Sequence, residues 1–441
     1  MIRAMAEVSP ATSPGGFSPA RPNATRWNWP AGIAFAVSVL LLLLYSQIWV
    51  SAFFGDGADP DSSALMRAVY FPAYLAGLLL VAQRPFQSAK GLAYQPFLLL
   101  LLVLAFASTW WSVAPDLTMR RSVALALTTL GGLALGARWR WSALTEVLAS
   151  VFLIMAVGSL AAAVVVPQFG RMQTLFPGAW RGLFLEKNIL GFTMCWGALM
   201  CAAAALLAPK RAPLWWPAAG LCVLLLLLST SKTSLLALGL GLAAFFLVLA
   251  VRKGGVWAVA AIYLAVVTVA ALAIAVAMAP QVLLDFLGKD ATLTGRTKIW
   301  SAVLALIHQR PWLGYGYWAV WTDDTGWGPL AWVIKWAKFK PSHAHDSWLE
   351  QWLGLGLLGL GTWALCYLTT LLRAIVALFH SSGALTALPF LAIYTLVGIT
   401  ESDAVTYNDL RWVLFVAIAT RLALGDRVGR APKERITHPR A

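Results

Sequence analysis

Four short stretches carry the residue types that proton transfer or anion binding needs. Pro341-Ser-His-Ala-His-Asp-Ser-Trp-Leu-Glu sets His343 and His345 beside Asp346, which suits either proton transfer near neutral pH or the capping of a helix start. The His-x-His spacing could hold a metal, but the other histidines, His308, His380 and His438, are scattered, so no metal ligand set is assigned. Trp180-Arg-Gly-Leu-Phe-Leu-Glu-Lys-Asn-Ile-Leu-Gly places Arg181, Lys187 and Asn188 directly before an apolar run. Lys187 there also reads as an anchor snorkelling to a membrane boundary, whereas the Arg181 guanidinium, between Trp and Gly, suits bidentate binding of phosphate oxygens. Thr294-Gly-Arg-Thr-Lys-Ile-Trp puts Arg296 in the first turn of an amphipathic helix, against the helix dipole. A bound anion would reverse the sign of that interaction; a solvated surface arginine is the plain alternative. Three smaller features complete the set: Lys232 in Ser229-Thr-Ser-Lys-Thr-Ser, Glu401 in Thr400-Glu-Ser-Asp ahead of Tyr407-Asn-Asp-Leu-Arg, and Arg120 with Arg121 after Trp110-Trp-Ser-Val-Ala-Pro-Asp.

These groups must be positioned by a chain that is 60% hydrophobic and only 12% charged over 441 residues. Apolar runs near 20 residues recur, the length that crosses about 30 Å of hydrocarbon. The fold class is therefore an all-α polytopic membrane protein of about twelve transmembrane helices. Its expected spans are 31–54, 64–82, 92–111, 120–137, 142–166, 188–208, 214–230, 233–251, 256–279, 347–372, 383–400 and 408–424. The four cysteines fall inside apolar runs at no metal-ligand spacing and read as small core residues.

One long connection interrupts this pattern. Residues 280–346 are rich in charge, aromatics and turn residues, yet carry apolar periodicity that a disordered tract lacks. Ile299, Trp300, Val303, Leu304 and Ile307 predict one face of a helix that Pro311 ends. Trp332, Val333, Trp336 and Phe339, with Lys335 and Lys338 between, predict a helix lying on a bilayer surface. The segment reads as an ordered helical insertion before the tenth span. Residues 1–28 read as a disordered tail, 29–424 as one membrane domain that includes the 280–346 subdomain, and 425–441 as a basic tail.

The net charge of +15 is a topology signal. Most of the basic excess lies in the two termini and the even connections, and the positive-inside rule then puts both termini in the cytoplasm and the insertion outside. Nucleic acid is excluded as a partner on that ground; the partner implied is the lipid bilayer. A transporter or flippase would place ionisable groups at mid-span, whereas here they gather at one boundary.

Together the motifs resemble the O-antigen ligase and polysaccharide polymerase superfamily of bacterial inner-membrane glycosyltransferases. The resemblance rests on Arg181-Gly-Leu-Phe with Asn188 and Gly191, Gly295-Arg296 with Trp300, Pro311-Trp-Leu-Gly-Tyr-Gly, Ser231-Lys-Thr, and His345-Asp-Ser-Trp-Leu followed by Gly354-Leu-Gly. Lys187-Asn188 and Glu401-Ser-Asp are similar to the exopolysaccharide-production branch. The resemblance implies transfer of a glycan from undecaprenyl diphosphate to a sugar hydroxyl at the periplasmic face, with no cofactor and no metal. The acceptor is a glycan for a polymerase, or lipid A core for a ligase. His345, Arg181 and Arg296 are the implied catalytic residues, with Lys187, Asn188, Lys232, Arg120, Glu401 and Asp346 around the diphosphate and sugar.

Overall fold

The computed structural model describes residues 29–54, 64–174, 176–278, 296–322 and 327–425. The two tails expected to be disordered, the acidic turn at 55–61 and Thr294-Gly295 lie outside those residues. The regular elements among the described residues are all helices: α1 (Trp29–Tyr45), α2 (Ile48–Phe54), α3 (Ala64–Ala68), α4 (Phe71–Gln83), α5 (Pro85–Ala93), α6 (Pro96–Ala107), α7 (Pro115–Arg138), α8 (Trp141–Val165) and α9 (Pro167–Gly170) form the first half. The second half holds α10 (Lys187–Leu207), α11 (Ala212–Leu228), α12 (Lys232–Lys253), α13 (Gly255–Met278), α14 (Arg296–Gln309), α15 (Pro329–Ala337), α16 (Ser347–Ala377), α17 (Ala384–Thr400) and α18 (Leu410–Leu424). Proline in the first turn of α4, α5, α6, α7, α11 and α15 explains several of these starts, since its missing N–H is unneeded there.

Each expected span coincides with a helix or a broken pair of helices. Among the described residues, five helices are long and apolar enough to cross a membrane: 141–165, 187–207, 209–228, 232–253 and 347–377. A sixth candidate is the pair 85–93 and 96–110, bent by 89°. The protein is thus a polytopic membrane protein. Its first expected span breaks at Gln47, in the left-handed region at φ 58°. The fourth begins at Pro115 rather than at 120, so Arg120 and Arg121 sit in the second turn of α7 instead of opening it.

The described parts of the insertion form a cap with its own small core. Ile299, Val303 and Ile307 of α14 pack with Leu330 and Val333 of α15 and with Leu353 of α16. Leu304, expected on the buried face, is exposed, and Ala302 and Leu306 take its place because residues 315–321 and α15 pack on that side. Trp332 and Trp336 lie on the exposed face of α15, their rings 5.8 Å apart.

The cap is spliced into α16. That helix is interrupted at Gly356, whose φ of 67° lies in the left-handed region. The gap receives the backbone of the Pro311-Trp-Leu-Gly-Tyr-Gly turn: Tyr315 N donates to Leu353 O (2.9 Å), Gly316 N to Gly354 O (2.9 Å) and Leu357 N to Pro311 O (2.8 Å). A Cβ at Gly356 would collide with Trp312 O, and one at Gly314 would meet Leu353 O at 2.5 Å. The two glycine motifs therefore answer each other across the splice.

Candidate functional site

The stretch before α16 is fixed by local caps. Asp346 is the N-cap: its Oδ1 accepts from Trp348 N (2.8 Å) and Leu349 N (2.9 Å). One turn on, the buried Glu350 accepts from Ala344 N (2.9 Å), Trp321 Nε1 (2.5 Å) and Ser402 Oγ (3.2 Å). Ser347 Oγ donates to Glu401 O (2.8 Å) and accepts from Asp403 N (2.9 Å). These bonds lash the histidine loop to the loop between α17 and α18. His345 itself is held at φ 53°, and Val405 and Asn408 opposite it are also left-handed, at 53° and 54°. Such backbones cost about 1–3 kcal/mol each and persist where surrounding contacts over-determine them.

The product of this scaffold is a three-residue relay. His345 Nδ1 lies 2.9 Å from Glu401 Oε2, and Arg296 Nη2 lies 2.9 Å from Glu401 Oε1. Arg296 Nη1 also donates to Thr400 O. Burial alone would raise the Glu401 carboxyl, but the hydrogen bond from His345 and the Arg296 guanidinium outweigh it and hold the group down at about 2. Glu401 is therefore ionised at neutral pH, its oxygen accepts, and the shared proton belongs on His345 Nδ1. That leaves Nε2 as the ring nitrogen a general base would use. The His343 ring lies tilted by 50° against that of His345, with ring centroids 4.0 Å apart, and accepts from His345 N (3.1 Å). Burial first, and then His345 and the nearby arginines, push the His343 ring well below its ordinary range, so it is neutral and serves as a prop.

The relay opens into a cavity of about 380 Å³. Its walls come from Tyr45 to Gln47, Phe184 to Glu186, Asn188, Trp196, His343, His345 and Asp409 to Arg411, with Arg296, Glu401 and Asp403 between. Two arginines, Arg296 and Arg411, face four carboxylates: Glu186, Glu401, Asp403 and Asp409. Arg411 is consumed by Asp403 (2.6 Å) and Asp409 (2.6 Å). Arg296 is not: two of its five N–H donors meet Thr400 and Glu401, and the others have no partner among the described residues. Asp403 Oδ2 is likewise buried and without a partner among the described residues.

The sequence candidates divide accordingly. His345, Arg296, Glu401 and Asn188 come together on this cavity, Asn188 accepting from Ser231 Oγ at 2.9 Å. Arg181 stands behind the wall that its own loop makes. It is 7% exposed, and its guanidinium donates to Phe169 O (2.7 Å) and Leu185 O (3.4 Å). Lys187 covers the Phe176 ring at 3.8 Å, Lys232 is exposed at the start of α12, and neither lines the cavity. Asp346 is spent on its cap, and Arg120 belongs to a second cavity. Sequence reasoning named Glu401 without its role as the carboxylate behind His345, because their pairing spans 56 positions and leaves no local signal. It missed Arg411 as a wall residue for the same reason.

His343, His345 and Glu401 present ligand atoms within 4.8 Å of one another, the spacing of a cation site. Both Glu401 oxygens already accept, one from Arg296, so a cation there would displace His345 and sit against a guanidinium. The donor set fits a proton relay better than a divalent ion.

Comparison with known proteins agrees with the motifs. Over 190 residues the chain is 30% identical to the exopolysaccharide production protein ExoQ of Rhizobium meliloti, an alignment covering 41% of this chain and 43% of that protein. The chain thus spans less than half the length of the curated relative it matches. A second match covers the stretch from 217 to 364, which includes Arg296 and His345 and ends before Glu401. Residues 217–364 are similar to the O-antigen ligase family, whose model matches that stretch.

Proposed function

We propose that the protein is a metal-independent glycosyltransferase that moves a glycan from a polyprenyl diphosphate to a sugar hydroxyl. In the favoured form it is a repeat-unit polymerase for an exopolysaccharide; a ligase onto lipid A core is the second form. The observation that carries the reading is the Arg296–Glu401–His345 relay at the mouth of a polar cavity in a membrane protein. About twelve spans with both termini in the cytoplasm, as the basic links suggest, would turn that cavity to the outer face.

His345 Nε2 takes the proton of the acceptor hydroxyl as its oxygen bonds to the anomeric carbon. The anomeric C–O bond to the diphosphate breaks, and the electron pair leaves on the diphosphate oxygen. Glu401 holds the ring in the productive tautomer and stabilises the imidazolium that forms. The unspent donors of Arg296 meet the charge that develops on the leaving group. Asp403 Oδ2 and Glu186 are suited to accept sugar hydroxyls. Arg181 supports the wall by tying the 181–186 loop to α9, so it acts on the site through Phe184 to Glu186.

The test is purified protein with a lipid-linked repeat unit, with and without a chelator. Chelation is expected to leave the rate unchanged, and His345→Ala to abolish transfer. In a deletion strain carrying His345→Ala, a polymerase leaves single repeat units on the carrier, whereas a ligase accumulates long lipid-linked polymer. Normal glycan from that strain would sink both forms.

A further inference from the structure

A second cavity, also about 380 Å³, lies between α4 and α7 and has a different chemistry. It is lined by three arginines, Arg67, Arg120 and Arg121, and among the described residues by no carboxylate. The remaining walls are largely apolar, and they run out onto a face the bilayer must cover: Phe71 is 66% exposed and Val123 43%. Leu75, Leu78 and Leu79 continue that exposed apolar face along α4. Arg120 makes no hydrogen bond or ion pair with the described residues, and it sits in the second turn of α7, against the dipole. Guanidinium groups at the head of a hydrocarbon-facing groove complement an amphiphile with a phosphate head and an apolar tail.

This groove and the His345 cavity share one wall. Tyr407 and Asn408 line the groove, and the next three residues, Asp409 to Arg411, line the cavity. The wall is pinned from both sides: Tyr74 OH donates to Asn408 Oδ1 (2.7 Å), and Gln47 Nε2 donates to Asn408 O (3.0 Å). Arg121 lies 5.4 Å from the Tyr407 ring centroid. A lipid head held in the groove would present whatever sugar it carries to the neighbouring cavity.

We propose that the groove binds the diphosphate head of a second lipid-linked substrate, the acceptor, while Arg296 faces the donor's leaving group. Calling that lipid the acceptor rests on the transferase reading; its binding does not. The experiment uses full-length protein in nanodiscs titrated with undecaprenyl diphosphate and read by native mass spectrometry. Wild type is expected to retain two lipids. The double variant Arg67→Gln/Arg120→Gln retains one, with the second affinity down tenfold or more, since each charge-assisted contact is a large share of a head-group's binding. Arg120→Lys restores part of the loss, and an unchanged melting temperature shows that the fold is intact. In transfer assays the double variant raises KM for lipid-linked acceptor at least tenfold while kcat holds. One lipid on wild type, or superimposable titrations for wild type and the double variant, would overturn the proposal. Intact transfer by His345→Ala alongside a two-lipid count would instead overturn the transferase reading and leave the groove standing.

Discussion

The two cavities have similar volumes and a common wall but opposite electrostatics. The His345 cavity mixes two arginines with four carboxylates, and almost every charge in it is already paired. The groove beside it gathers three arginines without an acid among its described walls. Paired charges in a partly buried site hold geometry and tune a proton acceptor, and leave only the unspent donors of Arg296 to meet an anion. A cluster of arginines at a lipid-facing edge, with no acid among its described walls, is suited to the reverse: drawing in an anionic head without positioning chemistry. On the reading proposed above, acceptor binding and bond-making are divided between neighbours.

Substitutions can break that division or sharpen it. The largest expected effect is from His345→Ala, which should lower transfer by 10²–10⁴-fold, the usual span of a lost general base, with lipid binding intact. Loss of binding in that variant would merge the two cavities into one. Arg296→Ala is expected to cost about ten- to a hundred-fold in kcat, since one charge-assisted hydrogen bond is worth about 1.5–3 kcal/mol. An effect on KM alone would move Arg296 into the binding half. Arg181→Ala should act through stability instead: a lowered melting temperature, with the activity of the folded fraction falling less than for Arg296→Ala.

Glu401→Gln separates relay from scaffold by pH. The carboxyl falls from 4.5 to about 2 on folding, so its contribution is present above the unfolded value and is lost as pH falls towards 2. That depression is worth about 3 kcal/mol. Wild-type melting temperature should drop across that window, whereas Glu401→Gln, already without the carboxylate, should stay nearly flat there. Parallel curves would mean that Glu401 contributes nothing through its charge. The smallest effect is expected from Lys232→Ala, which is exposed and outside both cavities, and should change neither transfer nor lipid count beyond about twofold.

Much of the fold was legible because hydrophobic runs and helix starts are local. Every expected span met a helix, and Asp346 caps α16 as its place at a helix start suggested; Ser231 and Asp409 cap α12 and α18 in the same way. The breaks were harder to see. Gln47 and Gly356 interrupt runs of unbroken hydrophobicity, and what admits the interruption is a partner elsewhere, such as the 311–317 turn. At the site, residue type pointed to His345 and Arg296, which carry unusual chemistry for their surroundings. The same logic chose Arg181, because an arginine in a loop looks alike whether it serves a ligand or the carbonyls of Phe169 and Leu185. The roles of Glu401 and Arg411 depend on which loops meet, which no local pattern encodes.

Under the proposed function, the turn lodged in the break of α16 bears on how a bulky glycan would get in and out. Main-chain bonds rivet the cap to the membrane helix, so lifting it like a hatch would mean tearing the rivets and exposing Gly356 to lipid. A glycan handled by such a transferase would pass along a fixed rim, with the floor and roof of the chamber keeping their spacing from one sugar to the next.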